Sequence, residues 1–170
     1  ENILNAHKNV YNLLRLFHKD NRLHMIWGNH DMVYRNPKHV KRNLHSYFDA
    51  KTGKEEELLG DITYHEAIVL KHCDTEQELF LTHGHQADWW NYLFWRWSRF
   101  MVRILWKPLN VMGIADPTSP AKNYKELIKI EKRAKKWIAE NKNLLTIFGH
   151  THRPRFPEPG DIAFFNDGSC

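Results

Sequence analysis

Three short clusters carry residue types that can bind a metal ion: Gly28-Asn29-His30-Asp31, His83-Gly84-His85 and Gly149-His150-Thr151-His152-Arg153-Pro154. Imidazole is the commonest metal ligand near neutral pH, because it is largely deprotonated there. His150 and His152 stand at i and i+2 just past a glycine, so both can face one point. A His-X-His pair alone is more often two incidental loop histidines; its company with two further polar clusters, each at a strand end, is what points to one site. Each cluster directly follows a short apolar run, Leu23 to Trp27, Leu79 to Thr82 and Leu144 to Phe148. Such runs form buried strands. Polar clusters at several strand ends are how a site is assembled at the edge of an α/β sheet.

In this order the three motifs resemble those of the calcineurin-like metallophosphoesterase superfamily, and Asn166-Asp167-Gly168-Ser169 is similar to its closing segment. The resemblance covers nearly the whole chain. It implies an α/β/β/α sandwich, expected here as a single partial domain over residues 1–170 that is N-terminally truncated. The family's opening Asp-X-His and Gly-Asp motifs would precede Gly28, where this sequence has neither. The resemblance also implies two divalent cations about 3.5–4 Å apart, which clamp the attacking and leaving oxygens of an in-line displacement and make a bridging hydroxide available. One amide oxygen with several imidazoles suits manganese, iron, zinc or cobalt better than magnesium or calcium. Manganese is the expected ion, and no cysteine ligand selects zinc.

Carried over residue by residue, the resemblance gives Asn29, His83 and His150 to one metal and His152 to the other. These residues hold most of one metal site and a single ligand of the second, so little activity is expected from them alone. His30 takes the role of acid for the leaving group. An unperturbed imidazole pKa of about 6.5 lets a histidine hold a proton near neutral pH, and a neighbouring carboxylate favours the charged form. Asp31 is the candidate carboxylate, orienting the ring; the alternative is a loop-capping aspartate. His85 has two readings, contact with substrate phosphate or packing beneath the loop. Arg153 likewise either pairs with a phosphate oxygen or makes a surface ion pair. Serine/threonine protein phosphatases of the superfamily carry Glu where this chain has Asp31, which argues against a protein substrate.

At 170 residues the chain is long enough to bury a core. No apolar run reaches the roughly 18 residues that span a bilayer. Cys73 and Cys170 show neither zinc-ligand spacing nor a disulfide framework, which suits a reducing cytoplasm. The net charge of +5 fits an anionic substrate and equally fits solubility. Of the twelve histidines, His7, His18, His24, His39, His45, His65 and His72 are scattered and read as surface or core filler.

The elements that must position the motifs follow from periodicity. Ile3, Val10, Leu13, Leu14 and Phe17 recur at helical spacing, so an amphipathic helix is expected over 2–19, ended by Asp20-Asn21. Pro37 to Phe48 reads as a helix and a return. Lys51-Thr52-Gly53-Lys54 is a turn, followed by the acidic run Glu55 to Glu57 as a solvated loop face. Ile62 to Leu70 and Glu78 to Thr82 read as a hairpin whose second strand feeds His83. Residues 88–141 read as a helical cap insertion: an aromatic helix over Asp88 to Met112, a rigid loop at Asp116 to Pro120, and a second helix from Tyr124 to about Asn141.

Five of the seven tryptophans, Trp89, Trp90, Trp95, Trp97 and Trp106, lie in the first of these helices, punctuated by Arg96, Arg99, Arg103 and Lys107. Three readings compete: a lid packed over the site, an interfacial membrane helix, and a stacking surface for single-stranded nucleic acid. Nucleic acid ranks lowest, because the cations are too few for a backbone track. The chain is similar in plan to the UDP-2,3-diacylglucosamine hydrolase group, which has a helical cap between the same motifs. Its Gly-Asn-His-Asp and His-Gly-His depart from that group's Gly-Asn-Arg-Asp and His-Gly-Asp. The expected function is therefore dinuclear-metal hydrolysis of a phosphoester or pyrophosphate, small or lipid-linked, by a cytoplasmic and peripherally membrane-associated protein. The rival is a catalytically inactive scaffold of the same fold that binds protein partners. Replacing Trp95 and Trp97 with serine is expected to weaken vesicle binding or lipid turnover while sparing small aryl phosphates; equal loss on both substrates would instead support the lid.

Overall fold

The structure is a computed structural model that describes residues 2–88, 93–94 and 124–168. Most of the tryptophan-rich segment and the loop at Asp116 to Pro120 lie outside the described residues. The architecture is mixed α/β, as expected. The chain forms two compact units, one of Glu1–Trp27 with Asp31–Glu66, the other of Gly28–His30 with Ala67–Cys170.

The first unit opens with α1 (Asn2–Ala6) and α2 (Lys8–Lys19), so the expected single helix is broken at His7. Asn21, in the left-handed region at φ 56°, closes α2: the Arg22 amide donates to the Phe17 carbonyl at 2.8 Å. This is the six-residue closure that satisfies the last carbonyls of a helix. Leu4, Tyr11 and Leu14 pack against a core of Val40, Tyr47, Leu58, Leu59 and Ile62. Val10 and Leu13, expected on the buried face, are instead 55% and 54% exposed. The apolar residues of α2 thus fall on two sides, and only one side meets the core.

The short strand β1 (Met25–Ile26) pairs in parallel with β4 (Tyr64–His65). Between them lie a 3-10 turn (Met32–Arg35), α3 (Pro37–Leu44) and a hairpin of β2 (Ser46–Asp49) and β3 (Lys54–Glu57). Asn36 caps α3 by accepting from the Lys38 amide at 3.0 Å, with Pro37 at the first helical position. The acidic run is not a loop. It forms β3, because its carboxylates find partners: Ser46 donates to Glu55, while Glu56 meets Arg15 at 3.5 Å and Lys8 at 4.0 Å.

In the second unit β5 (Ala67–Lys71) and β6 (Glu78–Thr82) form the expected hairpin. The strand-like stretch from Ile62 is divided, because Tyr64–His65 pairs with β1 and only Ala67 onward pairs with β6. Parallel to β6 runs β7 (Leu145–Phe148), and parallel to that β8 (Phe164–Asn166), completing a four-stranded sheet in the order β5-β6-β7-β8. The helix α4 (Tyr124–Glu140) buries Leu127, Ile130, Ala134 and Ile138. Ala134 and Ile138 pack on Phe148 and Phe164 of the sheet, with Phe80 and Ala87 beside them. Ile128 and Trp137 of α4 remain 45% and 40% exposed, although the Trp137 ring lies 5.2 Å from that of Phe80.

Asp49 is fully buried at the end of β2, paired with the ammonium of Lys8 and bonded by the Lys51 amide at 3.0 Å and the Thr52 hydroxyl at 3.1 Å. The Lys8 hydrogen bond, followed by that amide, lowers its pKa to about 2. A carboxylate depressed in the fold stabilises it fully above its unfolded pKa near 4, and that stability is lost as pH falls toward the folded value. Asp49→Asn is therefore expected to be less stable than wild type at pH 7, and to lose less between pH 4 and 2. Circular dichroism at stepped pH reads this, and parallel acid profiles of the two proteins would refute it.

Candidate metal centre

The register of the sheet builds the site. Thr82 pairs with Phe148, and Phe148 with Asn166, so β6, β7 and β8 end level. The next residues, His83, Gly149 and Asp167, leave the same sheet edge together. The Gly149 amide donates to the His83 carbonyl at 3.2 Å, and the Asp167 amide to the Phe148 carbonyl at 3.0 Å. The His83 and His150 ring centroids are 5.2 Å apart, and His83 and His85 are 5.1 Å apart.

Gly28 brings the first motif to this edge. A Cβ at Gly28 would lie 2.6 Å from Cδ2 and 2.7 Å from Nε2 of His83, so no larger residue fits while the ring stays in place. Gly28–His30 accordingly groups with the second unit, which also holds His83, His85, His150 and His152. Asp31 belongs to the first unit. It starts the 3-10 turn, its carbonyl accepting from the Tyr34 amide at 2.8 Å. His30, Asp31, His152 and Arg153 are exposed, whereas His85 and His150 are buried. The Arg153 guanidinium lies 5.7 Å from the Tyr124 ring centroid.

The loop after β7 is strained. His150 and His152 both adopt positive φ, 64° and 59°, a region that side chains other than glycine rarely occupy. The Thr151 amide donates back to the Gly149 carbonyl at 2.7 Å, closing a tight turn centred on His150. Conformations of this kind cost about 1–3 kcal/mol each and persist where the surroundings over-determine them. Asn166, 1% exposed, supplies that determination. Its Nδ2 donates to the Gly149 carbonyl at 2.7 Å and to the Thr151 hydroxyl at 3.1 Å, while its Oδ1 accepts from the Gly168 amide at 2.9 Å.

Electrostatics keep the inner histidines neutral. Burial, then the neighbouring His150, His30 and His152, lower the His83 pKa to about 4. Burial, then His83 and His150, lower that of His85 to about 3. His83 therefore presents an unprotonated nitrogen throughout the neutral range. Among the described residues, neither its buried Nδ1 nor the buried Oδ1 of Asn29 has a hydrogen-bond partner. Leaving a buried acceptor unsatisfied costs about 1–3 kcal/mol, and a divalent cation is the partner that an amide oxygen and a neutral imidazole nitrogen share. Among the described residues no three His, Cys, Asp or Glu side chains form a metal-holding group.

Two residues of this edge escaped the sequence reading. Asp88 places Oδ2 3.3 Å from Nε2 of His150, and its only sequence signal is an acidic residue closing the stretch after His-Gly-His. Asn166 was legible only as part of a closing segment, without its role as a clamp.

The model of the calcineurin-like phosphoesterase family matches residues 5–154. No curated protein and no solved structure gives a significant match. Asn166→Ala is expected to cost on the order of 3 kcal/mol in urea unfolding, because three hydrogen bonds go and their partners stay behind. Asn166→Asp, which keeps the acceptor for Gly168 but sets a carboxylate oxygen against the Gly149 carbonyl, should lose at least as much at pH 7; a loss below about 1 kcal/mol in the alanine variant, the net worth of a single bond, would refute the clamp.

Proposed function

The chain belongs to the calcineurin-like phosphoesterase family, and we propose that it acts in dinuclear metal-dependent hydrolysis of phosphoesters or pyrophosphates. The family is one of metal-dependent phosphoester hydrolases. The observation that carries the reading is that, among the described residues, buried Oδ1 of Asn29 and buried Nδ1 of His83 have no hydrogen-bond partner, while the His83 ring lies beside that of His150.

Asn29, His83 and His150 would hold one divalent ion, for which manganese suits the oxygen-and-imidazole donor set, and His152 would give a ligand to a second. When bound, such ions supply Lewis-acid stabilisation of the phosphoryl oxygens and a nucleophile ionised near neutral pH. His30, exposed at the same edge, hands a proton to the leaving oxygen. His85, buried and neutral, underlies the loop; Arg153 faces phosphate if it leaves Tyr124.

The substrate class extends to lipid-linked phosphates through the tryptophan-rich segment, in a cytoplasmic protein that touches the membrane surface. Support comes from α4, where Tyr124, Ile128 and Trp137 are exposed among Lys125, Lys129, Lys132 and Lys136. Apolar and basic residues interleaved on a helix surface suit an anionic interface. Among the described residues no helix is long and apolar enough to cross a membrane.

Two assays test this. Calorimetric titration of the 170-residue chain with Mn2+ is expected to show binding that His83→Ala and Asn29→Ala each weaken at least roughly tenfold. In the product of the full native gene, hydrolysis of bis-aryl phosphate is expected to stop with EDTA, return with Mn2+, and fall roughly 10²–10⁴-fold in His30→Ala. These residues alone should hydrolyse it slowly, since Asp-X-His and Gly-Asp are not among them. Mn2+ binding indifferent to both ligand substitutions, or EDTA-insensitive hydrolysis, would overturn the proposal.

A further inference from the structure

We propose that Asp88 is a positioning residue of this centre: it accepts a hydrogen bond from Nε2–H of His150 and thereby leaves Nδ1 as the lone-pair nitrogen of that ring for a divalent cation. The inference rests on the reading of His150 as a metal ligand. Asp88 Oδ2 lies 3.3 Å from His150 Nε2, with the two residues 8% and 7% exposed. An ionised carboxylate only accepts hydrogen bonds, so the ring nitrogen facing it carries the proton. In a neutral imidazole the other nitrogen is then bare, and that nitrogen binds a metal.

The chain is built to return Asp88 to this place. Gly84 turns at φ 92°, with its Cα hydrogen side against Phe148, where a Cβ would lie 3.2 Å from the Phe148 side chain. The Ala87 amide then donates to the Gly84 carbonyl at 3.1 Å, and the Asp88 amide to the His85 carbonyl at 3.0 Å. From the other side, the Arg133 guanidinium of α4 donates to the Ala87 carbonyl at 3.2 Å. His83 and Asp88, from one short segment, therefore both reach His150. Because His150 sits on a strained backbone, its ring needs a fixed partner; without one it would rotate or exchange tautomers and turn an N–H toward the cation.

The test is the tautomer of His150, read from two-bond proton–nitrogen spectra of the histidine-labelled chain at pH 8. Wild type is expected in the Nε2–H form, Asp88→Ala as a mixture or in the Nδ1–H form, and Asp88→Asn in the Nε2–H form again, since an amide oxygen also accepts. Mn2+ affinity, by calorimetry, is expected to fall roughly 10–100-fold in Asp88→Ala and to be largely kept in Asp88→Asn. An Nδ1–H tautomer in wild type overturns the proposal. So does an Asp88→Asn loss as deep as that of Asp88→Ala, which would make Asp88 a direct ligand. If the alanine variant fails to fold, the wild-type and asparagine spectra decide. Unchanged Mn2+ affinity in His150→Ala would sink the ligand reading of His150 while leaving the tautomer result standing.

Discussion

The level ending of three parallel strands is the constraint on which the site depends. Thr82, Phe148 and Asn166 lie side by side across β6, β7 and β8. All three point to the face covered by α4 and are buried. The following residues are released from pairing at one edge, which is why His83 and the loop of His150 meet although 67 positions separate them in the chain. Strand side chains alternate between faces, so a slip of one residue would send every one of them to the opposite side. The apolar contacts beneath, Phe148 edge-on to Phe164 at 5.5 Å and both against Ala134 and Ile138, hold that register. Core packing and site geometry are here one problem.

The site itself works against stability. Two histidines are held at positive φ, and among the described residues buried polar atoms of Asn29 and His83 find no hydrogen-bond partner. Asn166 offsets part of this by tying the loop at three points. Such local cost beside a well-packed sheet is the usual mark of a site kept for what it binds. The histidines also divide by environment. His83 and His85 are neutral because burial disfavours their charged forms. His30 and His152, by contrast, are exposed to solvent.

Much of this was legible along the chain. The glycines and histidines of the three motifs, and the apolar runs before them, marked the strand ends where the site forms. The stop of α2 at Asn21 and the span of α4 followed from local chemistry: left-handed tolerance in one case, 3.6-residue periodicity in the other. Local pattern misled where a partner was distant. Glu55 to Glu57 reads as a solvated run until Ser46, Arg15 and Lys8 are brought to it. Val10 and Leu13 share the helical spacing of Leu14, yet only Leu14 meets the core.

The sequence by itself carried the resemblance of its three motifs to a family, and it determined their strand-end placement and the residue types on offer, because placement and type depend on short apolar runs and local spacing. Only the tertiary structure decided which strands pair, that one strand-like stretch serves two sheets, and that Asp88 and Asn166 return to His150 and its loop. Those outcomes depend on closure of the chain over long separations and on the backbone angles it imposes. Neither is written in the spacing of neighbouring residues.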